Sequence, residues 1–299
     1  MKKLLLLILI NINFNVQAKV KSTLLNLYQN FHNVRDFTLH KNEAYFTAQS
    51  TLADVSVIVK VTKNNNEWSD PTVATFSGSH HDIEPFFSQD GLKLYFASKR
   101  PSSSDDKTKD YDIWYVERLS IDKKWSNPIN IGAPINTNKN EFYPSLANNN
   151  NLYFTANYSD SKGKDDIYVS EFKKGHYQKP YSLSSMINTD GEEYNAFIAP
   201  DETYLIFGAY KRPDSIGSGD LYISYKGNDG NWTQAKNMGE TVNSKSMDYC
   251  PFVDVKNQQL YFTSRRNNQD PHQIQDVKSL LDTLNSYENG MSRIYSTTF

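Results

Sequence analysis

Cysteine is almost missing from this chain: Cys250 is the only one among 299 residues. An internal disulfide is therefore excluded. Positive charge is not in excess either. Thirty-two Lys and Arg face 34 Asp and Glu, a net charge of −2, which leaves no basic field for nucleic acid. After the first dozen residues no apolar run is long enough to cross a bilayer as a helix. Catalytic signatures that can be read from spacing are lacking too. There is no nucleophile-elbow glycine-serine pattern, phosphate loop, dinucleotide fingerprint or zinc-spaced His/Cys cluster. His80 and His81 are adjacent, and neighbours on a strand point to opposite faces, so they make a poor bidentate metal site.

What is present begins with a leader. Lys2 and Lys3 precede an apolar run from Leu4 to Ile12, and Val16, Gln17 and Ala18 supply small residues at cleavage spacing. These features predict a secretory signal peptide over 1–18, cut after Ala18, and a mature protein over 19–299 that is periplasmic or secreted. No cysteine follows the cut, so a lipid anchor is not expected, and no transmembrane segment remains after signal cleavage. Aromatic residues make up 13% of the chain, with 20 Tyr and 16 Phe. They suffice for a core and favour strands over helices. Cys250 lies in an apolar strand pattern and reads as a buried small residue.

The aromatics recur. Tyr45-Phe46, Tyr95-Phe96, Tyr153-Phe154, Ile206-Phe207 and Tyr261-Phe262 follow one another at spacings of 50, 58, 53 and 55. Before each pair lies another strand-like segment, entered at Asn33, Ile83, Phe142, Tyr194 and Tyr249. A polar turn such as Gln89-Asp90-Gly91 separates the two, which is a hairpin signal. A third segment follows at Val55, Asp112, Asp166, Asp220 and Arg293. A fourth opens on an aromatic residue at Trp68, Trp125, Tyr177 and Trp232. Four short strands repeated at this period predict an all-β protein, a five-bladed β-propeller of four-stranded antiparallel blades. The fifth copy ends at Phe299, after its third strand. A segment at about 22–28 is expected to close the ring as the outer strand of the last blade, removing an open edge. Between the second and third strands of that blade, Ile274, Val277, Leu280, Leu281 and Leu284 recur at helical spacing. They predict a helical insertion at about 271–288, packed over the ring.

These units resemble the WD40-like PD40 β-propeller repeat, found in the propeller of TolB and in other exported bacterial proteins. The resemblance rests on Glu84-Pro85 to Asp90-Gly91, the Leu-Tyr-Phe strand, and the Asp-Ile-Tyr strand, clearest at Asp166-Ile167-Tyr168-Val169. It covers about 32–299. It implies the propeller architecture and not a function, because propellers host binding proteins, hydrolases and lyases alike. TolB has six blades and a separate N-terminal domain. This chain has neither the sixth copy nor room for that domain, so TolB's partners are not carried over.

Candidate site residues gather on one face of the expected ring. Acids form a column just before the inner strands at Asp82, Glu141, Glu193 and Asp248, with His32 in the first copy. Arg100, Arg212 and Arg265 begin connections on the same face, and Glu84 lies beside Asp82. The column can coordinate calcium, which takes several oxygen ligands, or it can be held by neighbouring amides and cations as part of the frame. No other cofactor is expected. Asp112, Asp166 and Asp220 read as turn acceptors, and Trp68, Trp125 and Trp232 as blade packing. Carboxylate pairs such as Asp82 and Glu84, or Glu192 and Glu193, suit glycoside hydrolysis if they lie across a bound sugar. The main expectation is a monomeric, non-enzymatic binding or scaffold protein of the cell envelope, with a protein, peptide or glycan on the loaded face. The alternative is a carbohydrate-active hydrolase or lyase using carboxylates at the channel mouth.

Overall fold

A computed structural model describes residues 21–22, 31–65, 67–103, 105, 110–270 and 274–299. The leader over 1–18 and most of the expected closing segment lie outside the described residues.

The strand β1 (Lys21–Ser22) stands alone before the first blade. Blade 1 holds β2 (Asn33–His40), β3 (Glu43–Gln49) and β4 (Ser56–Asn64), with an outer strand split into β5 (Glu67–Trp68) and β6 (Thr72–Val73). Blade 2 is β7 (Asp82–Phe87), β8 (Lys93–Ser98), β9 (Asp112–Glu117) and β10 (Ile129–Asn130). Blade 3 has β11 (Glu141–Leu146), β12 (Leu152–Ala156) and β13 (Asp166–Ser170). A side hairpin follows, β14 (Phe172–Lys173) with β15 (His176–Tyr177), and then β16 (Tyr181–Ser182). Blade 4 is β17 (Glu192–Ile198), β18 (Tyr204–Tyr210), β19 (Asp220–Tyr225) and β20 (Lys236–Asn237). Blade 5 contains β21 (Asp248–Asp254), β22 (Gln259–Ser264), the helix α1 (Val277–Leu284) and β23 (Arg293–Thr298). Its fourth strand is β1, antiparallel to β23 with Lys21 opposite Ser296 and Ser22 opposite Tyr295. The ring is thus closed by the N-terminal strand, as the missing fourth strand of the last copy implied.

The five inner strands β2, β7, β11, β17 and β21 pack side by side, and β21 returns to β2. The repeated Tyr-Phe pair explains why the blades hold. Phe46, Phe96, Phe154 and Phe207 are fully buried and Phe262 nearly so, each burial contributing roughly 1.5–3 kcal/mol. Phe154, Phe207 and Phe262 stack on Tyr168, Tyr222 and Tyr295 of the adjacent third strand at 6.1, 6.3 and 6.0 Å. A second repeat joins the outer segment to the third strand. Asn136, Asn188 and Asn243 each bond both backbone groups of one residue there, Ile113, Ile167 and Leu221. At the hairpin turn after β7, Gly91 takes φ +71°, and a Cβ there would lie 2.5 Å from the His40 ring, so only glycine fits.

Two expectations change. Asp276 caps α1 in a reciprocal capping box with Ser279, so the helix begins later than the insertion limits implied. It also buries none of its residues: Val277, Leu281 and Leu284 are 71%, 51% and 58% exposed. Its apolar face is therefore not packed over the ring. The second change concerns the first copy of the acid column. Val34 pairs with Ala48 just as Asp82 pairs with Ser98, so Val34, not His32, occupies that place.

Candidate active site

Every inner strand carries a bulge at the same position. The ladder slips after Arg35, Ile83, Phe142, Tyr194 and Tyr249. The next residues, Asp36, Glu84, Tyr143, Asn195 and Cys250, all take positive φ between 52° and 62°. That conformation is uncommon for residues with a Cβ, and bulges re-aim side chains. Three of the five precede a proline, Pro85, Pro144 or Pro251, a residue tolerated inside a sheet chiefly at bulges. The result is one re-aimed side chain per blade at the centre of the ring, and these five differ in chemistry.

Arg35 binds two of them. Its Nη2 donates to Glu84 Oε1 and its Nε to Asp36 Oδ1, both at 2.7 Å. Glu84 Oε2 accepts the Tyr143 backbone N–H at 2.7 Å, and Asn195 Nδ2 reaches Glu84 Oε1 at 3.4 Å. The Cys250 thiol donates to Asp36 Oδ1 at 2.7 Å, and Tyr143 OH donates to the Pro251 carbonyl at 3.1 Å. Among the described residues, Asp36 Oδ2 is buried without a hydrogen-bond partner. The Asp36 and Glu84 side chains are 1% and 3% exposed, while Arg35 keeps 18%, so the guanidinium is the accessible member. It also lies 5.2 Å from the centre of the Tyr249 ring.

Burial raises the Glu84 carboxyl to about 7, with Asp36 adding to the rise and Arg35 opposing it. Burial likewise keeps the Cys250 thiol protonated far above its usual range, with Asp36 reinforcing it. At neutral pH the site therefore holds a carboxyl poised to give or take a proton, beside a second carboxyl group, that of Asp36.

The acid column is committed elsewhere. Asp82 accepts from Ser77, Ser98 and Arg100 at 2.8, 2.6 and 2.7 Å. Glu141 accepts from the Thr137 N–H and hydroxyl at 3.2 and 2.6 Å, and burial raises it to about 7. Glu193 accepts from Thr189 N–H and hydroxyl at 2.8 and 2.7 Å and from Arg212 at 3.0 Å. Asp248 accepts from Ser244 N–H and hydroxyl at 2.6 and 2.8 Å, with Arg266 at 3.5 Å. Arg100, Arg212 and Arg266 also donate to the carbonyls of Phe76, Ile187 and Val242, and Tyr158 does the same for Ile135. Each acid thus ties its inner strand to the outer segment of the preceding blade. Arg265 is different. It is exposed, bonds Ser292 Oγ at 3.3 Å and lies 6.0 Å from the Tyr249 ring.

Of the candidates read from sequence, only Glu84 belongs to the central group. Asp36, Arg35, Tyr143 and Asn195 were missed, although the proline that follows three of the bulges marks the column. Among the described residues no group of three or more His, Cys, Asp or Glu is arranged to hold a metal ion, and no helix is long and apolar enough to cross a membrane. A recess of 1120 Å3 lies away from the centre, between outer parts of blades 2 and 3. None of the five bulge residues lines it.

No protein-family model matches this chain, and no curated protein matches it in sequence. Solved structures do. The endo-arabinase from Bacteroides thetaiotaomicron VPI-5482 aligns at TM-score 0.54 and 16% identity, covering 89% of this chain and 94% of that one. A GH62 hydrolase in complex with xylotriose aligns at TM-score 0.54 and 13% identity, covering 94% and 97%. The GH43 endo-arabinanase from Bacillus licheniformis aligns at TM-score 0.51 and 13% identity, covering 89% and 94%. At such identities the likeness establishes the propeller fold. It also corrects the expectation of a non-enzymatic binding or scaffold protein. The solved propellers that this chain matches almost end to end are enzymes, so its architecture does not point to a scaffold.

Proposed function

We propose that this chain is a carbohydrate-active hydrolase whose reacting groups are Glu84 and Asp36 at the centre of the ring. The observation that carries the reading is the pair itself. Two carboxyl groups from adjacent blades share one guanidinium, one of them raised to about 7 and the other with a free oxygen. An environment that raises one of two neighbouring carboxyls marks the proton donor in glycosidases. Glu84 is the general acid: it gives its proton to the glycosidic oxygen as the bond to the anomeric carbon breaks. Asp36, which accepts hydrogen bonds from Arg35 and Cys250, faces the developing positive charge.

Because both carboxyls bond one guanidinium at 2.7 Å, we assign them the short separation of retaining enzymes, below the ~6.5–9.5 Å that admits a water between them. Asp36 is therefore assigned as the nucleophile of a retaining reaction, with Glu84 returning as base for the attacking water. Arg35 covers the pair, so substrate must move its guanidinium off the carboxylates toward the Tyr249 ring. The names of the solved propellers, arabinases and a hydrolase bound to xylotriose, support a pentose-containing glycan as the substrate. The leader residues and the repeat motifs support an exported, periplasmic or secreted protein of the PD40 kind.

The test is release of reducing ends from a panel of arabinan, arabinoxylan and xylan by the mature chain, with product anomers followed by NMR. Release by the wild type is expected, and Glu84→Gln and Asp36→Asn should each lower it by roughly 10²-fold or more. No release from any member of the panel, or equal rates in wild type and Glu84→Gln, refutes the reading.

A further inference from the structure

Three blades repeat one outer plug, a cation at the end of the third strand lying over the aromatic residue that opens the fourth segment. Lys63 Nζ is 5.7 Å from the Trp68 ring centre, Arg118 Cζ 4.2 Å from Trp125, and Lys226 Nζ 5.5 Å from Trp232. Trp125 also donates Nε1 to the Tyr45 hydroxyl of the preceding blade at 2.8 Å. Blade 3 departs from this pattern. Phe172 stands in the place of the cation and Tyr177 in that of the tryptophan, with their rings edge to face at 5.1 Å. The 1120 Å3 recess lies at this boundary, and Phe172 and Tyr177 line it.

Blade 2 supplies the opposite wall. Tyr95 and Tyr115 lie 5.5 Å apart, tilted by 35°, and Lys93 Nζ stands 4.5 Å from the Tyr115 ring centre. Charged and polar groups, among them Glu117 and Asn150, line the recess together with these rings.

We propose that this recess is a second site, one that binds a stretch of glycan chain apart from the reaction at the centre of the ring. Sugar rings offer flat C–H faces bordered by hydroxyl groups, and the walls offer aromatic faces bordered by donors and acceptors. An entirely apolar ligand would desolvate the lysine, the carboxylate and the amide without replacing their hydrogen bonds. Binding clefts of this mixed lining commonly enclose ~300–1,000 Å3, and the recess, at 1120 Å3, lies just above that range, large enough for more than one sugar unit. The departure from the repeat is the central point. Three other blades place a cation over this aromatic residue, whereas blade 3 offers the Phe172 ring there and keeps the contact to the preceding blade through Tyr177 and Tyr95.

The inference does not rest on the reaction assigned to Glu84, because its readout is binding. Isothermal titration with xylohexaose and with arabinohexaose is the measurement, on the wild type and two variants. Tyr177→Trp places the larger ring of the other blades at this position, where its indole N–H can keep the bond that Tyr177 makes to Tyr95, as Trp125 meets Tyr45. Tyr115→Ala removes a ring from the opposite wall without filling the space. The wild type is expected to bind at least one hexasaccharide, and each variant to weaken that binding by roughly tenfold or more. Wild-type affinity in both variants, or no binding of either sugar by the wild type at millimolar concentration, overturns the proposal.

Discussion

Glu84→Gln should flatten part of the pH dependence of stability, and the sign and size follow from where the side chain lies. Glu84 is 3% exposed, and its carboxyl moves from an ordinary 4.5 to about 7, chiefly through burial. Below pH 4.5 the folded and unfolded chains both hold the proton, and Glu84 contributes nothing to the pH dependence. Between 4.5 and about 7 the unfolded chain releases it while the folded chain keeps it. Stability is therefore lost as pH rises through that window, and nothing further is lost above it. At 1.36 kcal/mol per pH unit the whole window is worth about 3 kcal/mol. Glutamine keeps the shape and cannot ionise. Its weaker bond to Arg35 has a cost that does not vary across the window, since Arg35 stays charged. The assay is urea unfolding of both proteins at half-unit steps from pH 4 to 8. The stability of the wild type minus that of the variant should fall by about 3 kcal/mol between the ends. Glu141 is raised in the same direction, but it is present in both proteins and cancels. Parallel profiles would refute the reasoning, because they would mean that Glu84 ionises alike in both states.

Arg212→Ala strands Glu193, which is fully buried, and should cost about 3–5 kcal/mol by urea unfolding. Arg265→Ala touches an exposed cation and should stay within about 0.5 kcal/mol; similar losses for the two would contradict the division between frame and surface. Comparing the chain starting at residue 19 with one starting at residue 23 tests closure. Loss of Lys21 and Ser22 leaves β23 without its outer partner and should lower the Tm, whereas an unchanged melt would deny that pairing a part in stability.

The blades were legible in the sequence because each is made locally. The Tyr-Phe pairs, the turn at Asp90-Gly91 and the Asp-Ile-Tyr segments are read within some 55 residues of chain, and alternation alone assigns their faces. Closure followed from counting, since a fifth copy lacking its fourth strand leaves an edge that the N-terminus pairs. The helix was also legible from the spacing of Val277, Leu281 and Leu284, but not its exposure, which depends on whether another surface lies within reach. The acid column misled for a related reason. Asp82, Glu141, Glu193 and Asp248 share a register, so they are easily seen, and they share it because every blade needs the same tie to its neighbour. In blade 1 the register itself was off, because this copy carries no acid at that place to align on, and Val34 stands where His32 was expected.

The central group was hidden most completely. Arg35 and Asp36 lie 49 and 48 residues from Glu84, and Cys250 lies more than 200 from either. A following proline is the one local mark that Glu84 and Cys250 share, and Arg35 and Asp36 lack it. Sequence alone determined that five copies of one sheet would form, since hydrogen bonding and apolar alternation act over a few residues. Only the closed ring decided that one re-aimed side chain from each copy meets the rest, because the approach of distant strands is set by how whole blades pack around an axis. Burial in that shared space, and not the identity of Glu84, raises its carboxyl to about 7.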